Sequence, residues 1–389
     1  METSDFTEFQ RLSRDIRNAT ATLTAREARY LVDTYYQMQS YRIASDNQVR
    51  SMTQDEEPHE TIGFFGDQMR ALEGQIKRVL DDWTATQALS VWAKGITGIG
   101  PVIAAGLLAH IDITKAPTAG HIWRYAGLDP TISWRSSDDC RKLVSEAFAK
   151  HDNQLDAITA LSNEFNRSVP NLLNLSEAEW DYDDEKDSDG GPAFIIIEKI
   201  IQSNLAKKLA KRPWNASLKL VCWKLGESFV KVSGNEKDVY GKIYVSRKQY
   251  EIERNEAVNE ITGVVPTITA DQGLANSRNG VYVGPDGEVS IAGAWYVGGN
   301  AIAAAQTLAK KRIGKDTDAY KAYSKGKLPP AHIHARAKRY AVKMFLSHYQ
   351  EVGYKLEFGK APPAPYPMAI LGHGHYMPPP NVPVLKVGE

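Results

Sequence analysis

The segment from residue 95 to residue 111, GITGIGPVIAAGLLAHI, constrains the fold more than any other stretch of the chain. Gly98 and Gly100 lie one residue apart, and Pro101 then opens an apolar run rich in small residues. Proline suits the first helical position, because its φ is already helical and its missing N–H group would have no partner there. The pattern predicts a helix from Pro101, preceded by a tight turn in which the glycines permit positive φ and close approach of the backbone to another surface.

This turn has two interpretations. In the first, the N–H groups of Gly100, Val102 and Ile103 have no partner within the helix and form a favourable place for a phosphate group. The segment would then be a helix-hairpin-helix, a motif that grips the backbone of nucleic acid without reading its sequence. In the second, the turn packs in a protein core, since the small residues that follow also suit close contact between helices.

A second motif follows at residues 118–130, TAGHIWRYAGLDP, which predicts a short helix that stops at Gly127 before Pro130. Together, the two motifs resemble the second conserved domain of transposases of the insertion-sequence 110/116/902 family, in which a "GIGP…AALLAEI" hairpin precedes an "AxYAGLxP" stop. The resemblance covers residues 88–134 and resumes at 320–346, which looks like the closing helix of that family.

Catalysis in this family, as the resemblance implies, needs an N-terminal nuclease-like domain with acidic metal ligands and a serine nucleophile shortly after the AGLxP motif. The N-terminal part of this chain predicts helices and has no "GID" strand, so we expect the acidic domain to be missing. Ser133 stands near the position of the family's serine, but Trp134 replaces the expected glycine and the sequence shows no base nearby. Ser133 is therefore the candidate catalytic residue, Mg²⁺ is expected only if the chain is an active enzyme, and no other cofactor is predicted.

The charges are balanced overall, with 47 Lys and Arg against 47 Asp and Glu, but they are unevenly distributed. Basic residues dominate 310–343 and acidic residues dominate 177–189. The acidic run imitates half a calcium loop, but Ile196 stands where the loop requires glutamate, so we expect a solvated loop.

Two further groups of residues could contact nucleic-acid backbone. Lys211 and Arg212 precede Trp214, which suits phosphate contact with stacking, or else the tryptophan caps the core and the cations are solvated. A regular helix that starts at Pro329-Pro330 carries a basic stripe away from its apolar face, and this stripe could equally be a solvated face. The predicted nucleic-acid-binding residues are Lys94, Thr97, Gly98, Ile99, Gly100, Val102, Lys211, Arg212, Trp214, Arg336, Arg339 and Lys343.

The predicted fold is mainly α, with many helices around a central helix-hairpin-helix and a small inserted β-hairpin. Residues 64–93 could self-associate as a coiled coil or pack as an ordinary helix. The pairs His332/His334 and His373/His375 predict no zinc site, because no cysteine or carboxylate completes a set at familiar spacing.

From the N-terminus, the predicted segments are a helical arm (1–90), the helix-hairpin-helix (91–135), an inserted helical segment with an acidic loop (136–212), a helical core with a basic edge (213–260), an inserted β-hairpin (261–300), basic C-terminal helices (301–358) and a Pro-rich tail (359–389).

These observations predict a transposase-like DNA-binding protein of mobile-element origin, which could also bind structured RNA. The two cysteines are typical of a reducing cytoplasm, where we expect association with the nucleoid, and no apolar run predicts a membrane span. One alternative is an active recombinase with a serine nucleophile. Another is a structural or assembly protein without nucleic-acid binding, and steep salt dependence would separate a binder from it.

Overall fold

The computed structural model describes residues 18–52, 60–131, 134–165, 167–173, 202–262, 281–284, 286–363 and 376–381. Over these ranges, the fold is mainly α with one small antiparallel sheet, and this confirms the predicted fold class. The chain divides into two compact units, the first made of residues 1–128 and 217–389 and the second of residues 129–216. The predicted insertion at 136–212 lies inside the second unit.

In the first unit, the first two long helices among the described residues pack against each other. A short 3-10 turn precedes them, and another follows the fourth helix. The helices are α1 (Ala25–Met52), α2 (Glu60–Ala85), α3 (Ala88–Lys94), α4 (Pro101–His110), α5 (Ala119–Tyr125), α10 (Ala216–Val232), α11 (Tyr240–Glu256), α12 (Ala301–Lys310), α13 (Asp318–Tyr323) and α14 (Pro330–Phe358).

Helix α1 begins at a capping box, in which the residue before the helix and its third residue exchange hydrogen bonds. The backbone N–H of Thr24 donates to Glu27 Oε2 at 2.7 Å, and the N–H of Glu27 donates back to Thr24 Oγ1 at 3.3 Å. This reciprocal pair satisfies donors that the first turn of a helix leaves without partners.

The helix predicted over 64–93 is interrupted, because α2 ends at Ala85 and α3 begins at Ala88. The hydroxyl of Thr84 donates to the carbonyl of Asp81, and the hydroxyl of Thr86 donates to that of Trp83. Such bonds from a side chain to the preceding turn compete with the regular helical ladder. The apolar face of α2, which the sequence offers for self-association, packs against α1 and α4 inside the first unit.

Helix α4 lies at the centre of the first unit, in contact with α1, α2 and α3. Its side chains are almost all apolar and mostly buried, which is typical of a helix surrounded by other elements on every side. Where α4 meets α10, a Cβ atom at Gly106 would lie 2.9 Å from Val221 Cγ2. The absence of a side chain at Gly106 therefore permits this close approach of two helices.

The long helix α14 packs along α11 and ends at Gly359, which adopts the left-handed conformation with φ 66°. Its buried face supplies Phe345 and Tyr349 to an aromatic cluster with Trp92 of α3. Phe345 also contacts Tyr240 of α11 and Phe229 of α10, so this cluster joins four helices.

The predicted β-hairpin is present and forms part of a sheet of four short strands among the described residues. The strands are β1 (Asn259–Glu260), β2 (Tyr282–Val283), β3 (Val289–Ile291) and β4 (Ala294–Val297), in the antiparallel order β1-β4-β3-β2. In this register, Val289 faces Tyr296, and Asn259 faces Val297. Strand β1 was not predicted, because its two residues are polar and exposed and give no alternating pattern.

The second unit contains α6 (Ser137–Lys150), α7 (Gln154–Phe165), α8 (Val169–Leu173) and α9 (Gln202–Leu209) around a core of its own. The acidic run 177–189 lies outside the described residues. In the described part of the chain, every helix is too polar or too short to span a membrane.

The glycine in the middle of α4 gives a direct test of this packing. Gly106→Ala should lower the free energy of unfolding by about 1–3 kcal/mol, because the new methyl group would press into Val221. Gly74→Ala in α2 is the matched control, since no described atom lies within 4 Å of its Cβ position, and it should raise stability by up to about 1 kcal/mol. Urea unfolding measures both changes, and equal stability of the two variants would contradict this packing.

Candidate nucleic-acid interface

The turn before α4 is held against α10 by Gly98. This residue has φ 95°, so it uses the positive φ that glycine permits. A Cβ atom there would lie 3.1 Å from Val232 Cγ2 and 3.3 Å from Ser228 Oγ. The Ser228 hydroxyl also donates a hydrogen bond to the Gly98 carbonyl. The position of the turn is therefore fixed by contacts with α10.

Gly100 has a different role from the one expected, because it does not use positive φ. It is the N-cap of α4, in an extended conformation with φ −94° and ψ 176°, and it is exposed. Among the described residues, none has an atom within 4 Å of its Cβ position, and no side chain caps the helix. The N–H groups of Val102 and Ile103 consequently remain available at the start of the helix.

The N-terminus of α4 opens into a cleft of about 430 Å³. Its walls come from α1, α4 and α10, with one side chain from α2. Lys77, Lys224 and Lys231 bring positive charge to the cleft. Glu227 also lines it, but the Glu227 carboxylate forms an ion pair with Lys338. The cleft therefore holds an excess of positive charge beside the available amides of α4.

Lys224 is the most constrained cation of the cleft. Its Nζ atom lies 3.2 Å from Gln39 Oε1 and 4.8 Å from the centroid of the Tyr36 ring. Burial lowers the pKa of Lys224, and the charge of Lys231 lowers it further. A bound anion would oppose both effects by stabilising the ammonium form. Next to it in the chain, Trp223 is 54% exposed and offers an aromatic surface beside these cations.

The turn before α4 lies in a segment that matches a known protein family. Residues 93–140 match the model of the Transposase IS116/IS110/IS902 family. Over these residues, here called the transposase segment, the chain is similar to that family. The transposase segment contains the turn, α4 and α5, and the match confirms the resemblance to this family in the region of the turn. Neither the curated proteins nor the solved structures that were searched gave a match to this chain.

The predicted binding residues within the transposase segment face different surroundings. Lys94 forms an ion pair with Asp81 at 2.7 Å. The Thr97 hydroxyl donates to the backbone carbonyl of Lys237 at 3.4 Å. Ile99 and Val102 are buried, so only their backbone groups could serve a ligand at this turn.

The three predicted residues of α14 do not form a free stripe. Arg336 is partly buried and lies 3.4 Å from the carboxylate of Glu251, whereas Arg339 is exposed. Lys343 Nζ lies 4.0 Å from the ring centroid of Trp123, which belongs to the transposase segment. These residues differ because Arg336 and Lys343 have partners on other helices. The spacing of residues within α14 could not reveal those partners.

The remaining predicted residues belong to the second unit. The guanidinium carbon of Arg212 lies 5.4 Å from the ring centroid of Trp134, and Trp134 meets Trp214 edge to face at 6.2 Å between centroids. Lys211 is exposed at the end of this group. Ser133, the candidate nucleophile, lies outside the described residues.

The first His-x-His pair is engaged with tyrosines. The His332 ring nitrogen lies 2.9 Å from the Tyr323 hydroxyl, and the His334 ring nitrogen lies 2.8 Å from that of Tyr244. His373 and His375 lie outside the described residues. Within the described ranges, no group of three or more His, Cys, Asp or Glu residues could hold a metal ion.

The lysines of the cleft were not predicted, because they lie on helices outside the transposase segment, and those of α10 are far from it in the chain. Lys224 and Lys231 are seven residues apart on α10, which places them on one helical face beside Trp223. This spacing is the signal that could have identified them.

The two glycines of the turn should respond differently to substitution. Gly98→Ala should lower the free energy of unfolding by about 1–3 kcal/mol, because alanine disfavours positive φ and its Cβ would crowd α10. Gly100→Ser should change stability by less than about 0.5 kcal/mol, because serine is a good N-cap in extended conformation. Chemical unfolding of both variants checks this difference, and similar losses at both positions would contradict the geometry of the turn.

Proposed function

We propose that this transposase-like protein binds the sugar-phosphate backbone of DNA in the cleft at the N-terminus of α4. The observation that carries the proposal is the juxtaposition of uncapped amides with Lys77, Lys224 and Lys231. A phosphate group could accept hydrogen bonds from the amides of Val102 and Ile103 while the lysines neutralise its charge.

The chemistry of these groups indicates a contact that does not depend on base sequence. Lysine ammonium groups and helix N-termini contact phosphates, which carry no sequence information directly. Such a contact would suit the way a helix-hairpin-helix holds a duplex. The close packing of Gly98 against α10 supports this proposal, because a site for a phosphate must be held rigidly.

No cofactor is needed for this binding, since the protein itself supplies the positive charge and the donors. We assign no catalytic step to Ser133, and a requirement for Mg²⁺ would accompany catalysis only. DNA binding of this kind would also bring the protein to the nucleoid, as the sequence predicts.

Salt dependence tests the proposal quantitatively. Binding of a short fluorescent DNA duplex should weaken with salt at a log–log slope of about −3 if the three lysines contact phosphates. Lys224→Ala and Lys231→Ala should each weaken binding and make the slope about one unit shallower. Fluorescence anisotropy at several salt concentrations measures both quantities.

The control removes an equal charge at the other end of α4. Lys115 is exposed beyond the C-terminal end of α4, a helix that spans roughly 15 Å. Lys115→Ala should leave the affinity and the slope unchanged. A slope near zero in the unmodified protein, or equal losses in all three lysine variants, would refute binding in the cleft.

A further inference from the structure

Helices α11 and α14 bring four arginines together on the first unit. Arg247 and Arg254 lie seven residues apart on α11, and Arg336 and Arg339 lie on α14. The fully buried carboxylate of Glu251 lies among them and accepts a hydrogen bond from Arg247 Nη2 at 2.6 Å.

One carboxylate does not neutralise this group of arginines. Arg336 Nε lies 3.4 Å from the same Glu251 oxygen that binds Arg247. Burial lowers the pKa of the Arg336 guanidinium, and the charges of Arg247, Arg254 and Arg339 lower it further. Positive charge thus remains in excess where α11 and α14 meet, which favours binding of an anionic partner.

Two exposed tyrosines share this surface. The guanidinium carbon of Arg247 lies 4.7 Å from the ring centroid of Tyr250 and 4.8 Å from that of Tyr340. These distances are typical of cation–π contacts, which hold both rings in place. Tyr250 and Tyr340 nevertheless keep 45% and 40% of their surfaces exposed.

A network of hydrogen bonds also holds Arg254 and the backbone of Glu251. Arg254 donates from two guanidinium nitrogens to the carbonyl of Gly299. The buried Asn300 donates to the carbonyl of Glu251 and to Asn255 Oδ1, each at 3.0 Å. Arg247, Arg254 and the two rings are therefore held in place before any partner binds, which lowers the entropic cost of binding.

We infer that Arg247, Arg339, Tyr250 and Tyr340 form a binding site for unpaired nucleotides, here called the tyrosine–arginine patch. The rings would stack on bases and the guanidinium groups would contact the adjoining phosphates. The inference rests on the proposed function and adds to it a second contact, which selects single strands whereas the cleft holds a duplex.

The exposed aromatic rings favour unpaired nucleotides over an acidic peptide as the partner of the tyrosine–arginine patch. Carboxylates would match the positive charge equally well, but they have no aromatic face to stack on exposed rings. Nucleobases supply both features, because each base has a π-face and each nucleotide carries a phosphate.

Matched oligonucleotides and ring substitutions test the patch. The probes are a fluorescent oligothymidylate and a DNA duplex of the same length, each titrated with the full chain. The double variant Tyr250→Ala/Tyr340→Ala should bind oligothymidylate about tenfold more weakly, because stacking is lost. Its affinity for the duplex should change by less than about twofold, since the lysines of the cleft are intact.

Two controls separate stacking from other effects. Tyr250→Phe/Tyr340→Phe keeps both rings and should bind oligothymidylate like the unmodified protein. Tyr30→Ala removes an exposed tyrosine of α1 and should change neither affinity. Thermal unfolding of each variant establishes that it is folded.

The outcomes distinguish this inference from the proposed function. Unchanged oligothymidylate affinity in the double alanine variant would overturn the inference alone if the duplex still binds through the lysines. Equal competition by polyglutamate of the same charge would overturn it in favour of an acidic partner. Tyrosine-dependent binding of oligothymidylate without duplex binding would refute the cleft and support the patch, and failure to bind either probe would refute both.

Discussion

The enclosure of α4 by other helices is the constraint on which the candidate site depends. A helix of small and apolar residues has no polar face to turn to solvent, so it must be covered on all sides. The close approach of α10 at Gly106 provides part of this cover. Because α10 continues past the turn, the same helix also fixes Gly98 and carries Lys224 and Lys231 into the cleft.

The electrostatics of the cleft follow from this packing. Helices that line the same cleft as the start of α4 bring in lysines of α2 and α10, although those of α10 are distant from α4 in the chain. Among the described residues that line the cleft, Glu227 alone carries a carboxylate, and this carboxylate forms an ion pair with Lys338. Burial and like charge destabilise the charged form of Lys224, and a phosphate in the cleft would relieve this cost.

Features of the fold that depend on neighbouring residues were predictable from the sequence. Features that depend on contacts between distant residues were not. Pro101 predicted the start of α4, and the hairpin of β2 and β3 was also predicted, because both features depend on residues that are neighbours in the sequence. The roles of Gly98 and Gly100 could not be separated, since only contact with α10 distinguishes them. Arg336 was expected beside solvent, but its partner Glu251 lies on another helix and draws it inward.

Binding of a DNA duplex by Gly100→Asp tests the central claim most directly. An aspartate N-cap would accept hydrogen bonds from the amides of Val102 or Ile103 and repel a phosphate there. We expect unchanged or higher thermal stability, with duplex affinity reduced by roughly tenfold. Gly63→Asp, in the exposed first turn of α2, adds the same charge elsewhere and should have little effect on binding. Undiminished affinity of Gly100→Asp would contradict phosphate binding at the N-terminus of α4.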